Sequence, residues 1–167
     1  YLITWFVDRM FQQHPSKNPG IFAELEQEAA AVPIGSRGLV LIPYFSGIMT
    51  PYWDADGRGV LAGLSGSHTR GDIYRALLEG IAYGTEHILQ TLAGHGYSVQ
   101  EVVAAGGPTK SKLWMHIHAD VSNIPISLTA VPDAPTLGSA ILAAVAAGCY
   151  ADVPTAASNM VKVTGRI

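Results

Sequence analysis

A single cysteine, Cys149, stands in these 167 residues. No internal disulfide is available to the chain, and a reducing, cytoplasmic setting is the simpler expectation. Cys149 follows Gly148 at the end of an apolar run and reads as a small buried side chain rather than a nucleophile. Charge is also scarce: 14% of residues are charged, with 10 basic against 13 acidic and a net charge of -3. No basic stripe exists to hold nucleic acid or an anionic membrane. The most apolar stretch, Ala140–Ala147, falls far short of the ~20 residues that span a bilayer. A basic region leading into an apolar one is missing too, so no signal peptide is expected. Missing as well are GxGxxG, GxxxxGK[ST] and GxSxG, which removes the Rossmann fingerprint, the P-loop and the nucleophile elbow.

What is present is a 49% hydrophobic composition, enough for a real core and far from that of a disordered tail. Tyr1 falls in the middle of an apolar pattern, which suggests truncation. Leu2–Gln13 has helical spacing in Leu2, Trp5, Phe6, Arg9 and Met10, stopped by His14-Pro15. A second helix is expected over Ile21–Ala31, closed by Pro33. Leu39–Ile42 reads as a buried strand, and the turn-rich segment after it, with DADGRG, leads to a short strand within Gly59–Leu64. Thr69 and Asp72 form a capping-box pattern ahead of the strongest helix, whose apolar face is Ile73, Leu77, Ile81, Ile88 and Leu92; Gly94 and Gly96 end it. Strand Glu101–Ala105, a helix bearing Leu113, Trp114, Ile117 and Val121, strand Ile126–Val131 and a helix from Thr136 to Ala147, capped by Gly148, then alternate. That order predicts an α/β fold with a mixed or parallel sheet and crossover helices.

Two places carry chemistry. After strand 101–105 the chain meets Gly106-Gly107, and a helix begins within a few residues. Bare glycines let a ligand approach the backbone, and open amides at a helix start favour an anion. The alternative is a plain tight strand-to-helix turn, and spacing alone leaves both open. The helix TLGSAILAAVAAG has a flat face of small residues, suited to close approach by another helix or to tight internal packing. His116 and His118 are two apart, the wrong spacing for chelation on a helix, and no Cys/His cluster suggests a structural zinc. His87 and His95 lie near the end of the long helix, where a cation is favourable. Asp54, Asp56 and Asp72 are candidate catalytic carboxylates, although turn and cap roles explain each of them adequately.

Three stretches, in order, resemble the FGGY carbohydrate kinases, among them xylulokinases, ribulokinases and glycerol kinases. They are PYFSGIMTPYWDADGRGVLAGLS, then GLSGSHTRGDIYRALLEGIAYG, then AAGGPTKSKLWMHIHADVSNIPI with DAPTLGSAILAAVAAG. The resemblance covers about Gly38 to Val153. It implies a two-lobed actin-like ATPase with ribonuclease-H-like lobes, of which this chain is an incomplete second lobe. Residues 1–167 are then one domain: a helical lead-in over 1–37, a family-like core over 38–153 and a truncated segment over 154–167. The implied activity is ATP-dependent phosphorylation of a sugar or polyol, pentuloses first, with ATP and Mg²⁺. Gly106 and Gly107 would lie against the nucleotide, and Pro108 stands where the family usually has Gly or Ala. Ser111 matches the Asn that contacts adenine in glycerol kinases. No catalytic residue is assigned: the resemblance implies that the base and one phosphate hairpin belong to the first lobe, that the second hairpin opens the second lobe upstream of Tyr1, and that the Mg²⁺ ligands mostly lie outside the chain. The implied partners are the sugar, the N-terminal lobe of the same protein and a second copy in a homodimer. A non-catalytic nucleotide-binding module, or an interaction domain using the Trp5/Phe6 face, is the alternative.

Overall fold

The apolar positions of the first segment close a helix, α1, over Leu2–Arg9. It ends short of Gln13 because Gln12 turns left-handed (φ 52°) and the Gln13 amide returns to the Val7 carbonyl. The computed structural model describes all residues, Tyr1–Ile167. The chain is built as two compact units, Tyr1–Ser98 and Val99–Ile167.

The first unit adds α2 (Ile21–Ala30), strands β1 (Val40–Ile42) and β2 (Val60–Ala62), and the long helix α3 (Arg70–Gly94). β1 and β2 pair antiparallel, Leu41 opposite Leu61. Leu41 is buried, but Val40 and Ile42 are 54% and 41% exposed, so β1 is not the fully buried strand its composition suggests. A two-stranded sheet covered on one face can hide only alternate residues. The Thr69–Asp72 capping box forms as expected. Downstream, α3 departs from a simple amphipathic stripe: Tyr74 through Gly80 are buried on every side. Two glycines make that possible. A Cβ on Gly71 would sit 3.1 Å from the backbone of Glu28 in α2, and one on Gly80 would collide with the Leu41 carbonyl oxygen. Phe6 is buried and meets the rings of Phe11 and Phe45, so much of the Trp5/Phe6 face is satisfied within its own unit.

The second unit is a three-stranded sheet in the order β3 (Val102–Ala104), β4 (Ile126–Thr129), β5 (Val163–Arg166). β3 and β4 run parallel, joined by α4 (Lys112–Ser122), and β5 is antiparallel to β4. The sheet is therefore mixed. On α4 the fully buried side chains are Met115 and Ile117 rather than Leu113 and Val121. α5 (Ala134–Ala146) packs on α6 (Val153–Met160). The last residues, which show no clear periodicity, thus supply both α6 and β5. Cys149 is exposed, contrary to expectation, because it follows Gly148 (φ 75°) out of the helix end. No helix is long and apolar enough to cross a membrane.

Candidate functional site

β3 ends at Ala104, and the chain reverses at Gly106 with φ 86° and ψ −163°. That region is open in practice only to glycine. The Gly106 amide donates to the Pro132 carbonyl at 2.7 Å, which ties the turn after β3 to the turn after β4. Both turns lie at the carboxyl ends of a parallel pair, where open α/β sheets take ligands.

Gly107 is exposed, and a Cβ built there would meet no atom within 4 Å. The space above this backbone is one that a side chain would fill and glycine leaves clear, which fits a flat ligand lying against the main chain. Pro108 follows, exposed, inside a 3₁₀ turn over Gly107–Lys110, with no amide hydrogen to offer. The Thr109 hydroxyl donates to the Gly106 carbonyl at 2.7 Å, and the Thr109 amide reaches the same oxygen at 3.3 Å. Ser111 caps α4: its Oγ accepts the Trp114 amide at 3.1 Å. Its hydroxyl hydrogen remains available to a ligand. Gly106, Gly107, Pro108 and Ser111 therefore come together in one turn, and the regular helix starts only after the 3₁₀ segment. Thr109 was not singled out by the sequence; a Thr three residues after a strand-ending glycine is the signal that would have found it.

The carboxylates have structural employment. Asp54 Oδ1 accepts the Asp56 amide at 2.8 Å, and the exposed Asp56 lies 3.8 Å from Arg58. Asp72 is buried, and its Oδ2 accepts the Thr69 hydroxyl at 2.6 Å and the Thr69 amide at 2.7 Å. The hydrogen bond from the Thr69 side chain holds its carboxyl below the usual range, with Arg37 at 3.4 Å assisting. Among the histidines, His87 stacks on Tyr52 and its Nε2 lies 2.9 Å from the phenol oxygen. His95 Nδ1 lies 2.8 Å from the Thr91 carbonyl at the α3 terminus. His118 stands against Trp114, and burial pushes its pKa down. A buried pair also escaped the sequence reading. Glu79 accepts from Arg75 Nε at 2.8 Å, from Ser36 Oγ at 2.9 Å and from the Gly35 amide at 3.1 Å.

The FGGY family of carbohydrate kinases, C-terminal domain, matches residues 1–147. The chain is 32% identical over 163 residues to a xylulose kinase of Staphylococcus epidermidis, covering 98% of this chain and 32% of that protein. It is 43% identical over 136 residues to a ribulokinase of Mycolicibacterium smegmatis, covering 81% and 24% respectively. The crystal structure of xylulose kinase from Rhodospirillum rubrum superposes with a TM-score of 0.81 at 34% identity, over 99% of this chain and 32% of that one. The chain thus spans 32% of the length of the S. epidermidis relative. The mixed helix-and-sheet architecture is that of a partial C-terminal lobe of the actin-like ATPase fold. In sequence and in fold together, this chain belongs to the FGGY family of carbohydrate kinases.

Proposed function

We propose that the intact protein transfers a phosphoryl group from ATP to a hydroxyl of a sugar or polyol, a pentulose first, and that this chain supplies the adenosine side of its cleft. The relatives named xylulose kinase and ribulokinase support the substrate class. The observation that carries the site is the bare, exposed backbone at Gly107, set by the left-handed bend of Gly106 at the carboxyl end of β3. Gly106 gives the bend, Gly107 receives the nucleoside, Pro108 stiffens the exit, and Ser111 fixes the start of α4 while turning its hydroxyl hydrogen to the base. Neutral backbone groups of this kind suit the nucleoside end of ATP better than its triphosphate. ATP supplies the phosphoryl group and Mg²⁺ neutralises its charge. Mg²⁺ takes one or two carboxylates together with water and the phosphates, and its protein ligands are assigned mostly outside this chain. The base that takes the sugar's proton is assigned to the N-terminal lobe. That lobe and a second copy of the protein are the macromolecular partners this reading carries, in the cytoplasm.

A coupled ATP-consumption assay of the full-length protein across ketopentoses, aldoses and polyols tests the reading, with the largest kcat/KM expected for a pentulose. In the same protein, Gly107→Val should raise the KM for ATP about tenfold or more, a loss of at least ~1.4 kcal/mol, and that for the sugar much less. Gly107 has no protein neighbour to clash with, so the effect falls on the ligand. A variant that weakens the sugar more than ATP contradicts the assignment, and so does a full-length protein that consumes ATP with no sugar.

A further inference from the structure

We propose that Thr109 is a positioning residue for the nucleotide, acting through the peptide that joins Gly106 to Gly107. The inference rests on the adenosine reading of residues 106–111 and names a residue that reading does not include. The chain's single cis bond is Thr50-Pro51, so the peptide between Gly106 and Gly107 is trans. In a trans peptide the carbonyl and the amide hydrogen point in opposite directions. The carbonyl of Gly106 is held on one side by the Thr109 hydroxyl at 2.7 Å, a shorter contact than the 3.3 Å from the Thr109 amide. The amide of Gly107 is therefore directed to the other side, away from the turn's interior.

Glycine makes this restraint necessary. At φ 86° and ψ −163°, Gly106 occupies a broad region in which a peptide plane can rotate at little cost, and its neighbour Gly107 offers no side chain to wedge it. The amino side of Gly106 is pinned by Pro132 at 2.7 Å. Thr109 pins the other side. With both in place, the peptide plane is fixed before any ligand arrives, and the Gly107 donor is preorganised toward the open face. Without the hydroxyl, the carbonyl keeps only the long bond to the Thr109 amide. Binding must then restrict the peptide at its own cost. Thr109 need not touch the nucleotide for this to hold.

The test uses the full-length protein carrying Thr109→Val, which keeps the shape and removes the hydroxyl, and Thr109→Ser, which keeps the hydroxyl. Affinity for a non-hydrolysable ATP analogue is measured by calorimetry without sugar, alongside KM for ATP and for the sugar. Thr109→Val should weaken the analogue and raise the KM for ATP about fivefold, the order of one lost hydrogen bond. The sugar KM should stay within about twofold, and Thr109→Ser should restore both ATP parameters. Should the valine variant fail to fold, Thr109→Ala compared with Thr109→Ser is read in the same way. Unchanged analogue affinity in the hydroxyl-free variant, or no rescue by serine, overturns the role of Thr109. Gly107→Val run beside them separates the two claims. If it alone loses affinity, only the positioning role falls. If neither variant loses affinity, the nucleotide reading falls as well.

Discussion

Glu79 shows how a charged side chain can be unavailable for chemistry. It is buried in the middle of α3 and meets Arg75, Ser36 and the Gly35 amide. Those bonds hold the Gly35–Gly38 turn, where Ser36 and Arg37 adopt left-handed conformations (φ 48° and 54°) that non-glycine residues rarely take. Removing the carboxylate leaves a buried guanidinium without its partner, so Glu79→Ala should cost about 3–5 kcal/mol and Glu79→Gln less. Denaturant unfolding of the intact protein checks this, with an unchanged midpoint for Glu79→Ala as the contrary result. At this scale legibility was uneven. Thr69 and Asp72 announce their cap by spacing, since a capping box is local in sequence. Arg75 and Glu79 stand four apart, a pattern that an exposed surface pair shares, and only the approach of Ser36 from a distant turn distinguishes the two.

Elements were legible where a local pattern forces them. α2, α3 and α5 fall close to their expected positions because caps, prolines and glycines mark their ends. β5 gave no signal: Val163–Arg166 is a short, largely exposed edge strand with no apolar alternation. α6 did carry a start signal, Asp152 capping Thr155 with Pro154 in the first turn, but buries only Ala156 and so shows little apolar period. The packing of α3 yields a further expectation. Alanine is the better helix former by about 1 kcal/mol, yet Gly80→Ala should destabilise by about 1–3 kcal/mol because the new methyl strikes the Leu41 backbone. Gly94→Ala, in open space on the same helix, should be neutral or mildly stabilising. Melting temperatures of the two variants should therefore move apart, and a Gly80→Ala protein that melts no lower than wild type would refute this account of the crossing.

For the molecule as a whole, the three motif stretches read from the sequence led to the family, and the match over residues 1–147 agrees. Gly94 and Gly96, just before the boundary at Ser98, read in the sequence only as the end of a helix, so the division into units was not legible there. The chain spans 32% of the length of its S. epidermidis relative. Phosphoryl transfer needs a positioned base, metal ligands and a grip on the phosphates. On the proposed reading, residues 1–167 by themselves should show no measurable sugar-dependent ATP turnover in an assay where the intact protein is active. Turnover by these residues alone would place the catalytic groups within them.

The inward-facing charges along Gly63–Gly84 bear on how such a protein should be dissected. Replacing its charged residues one at a time would give heavy losses at Arg75 and Glu79, where a collapsed scaffold passes for a disarmed enzyme. Gly106 and Gly107 carry no charge and would never enter such a survey. Adding bulk, rather than trimming it, is the way to find what they do.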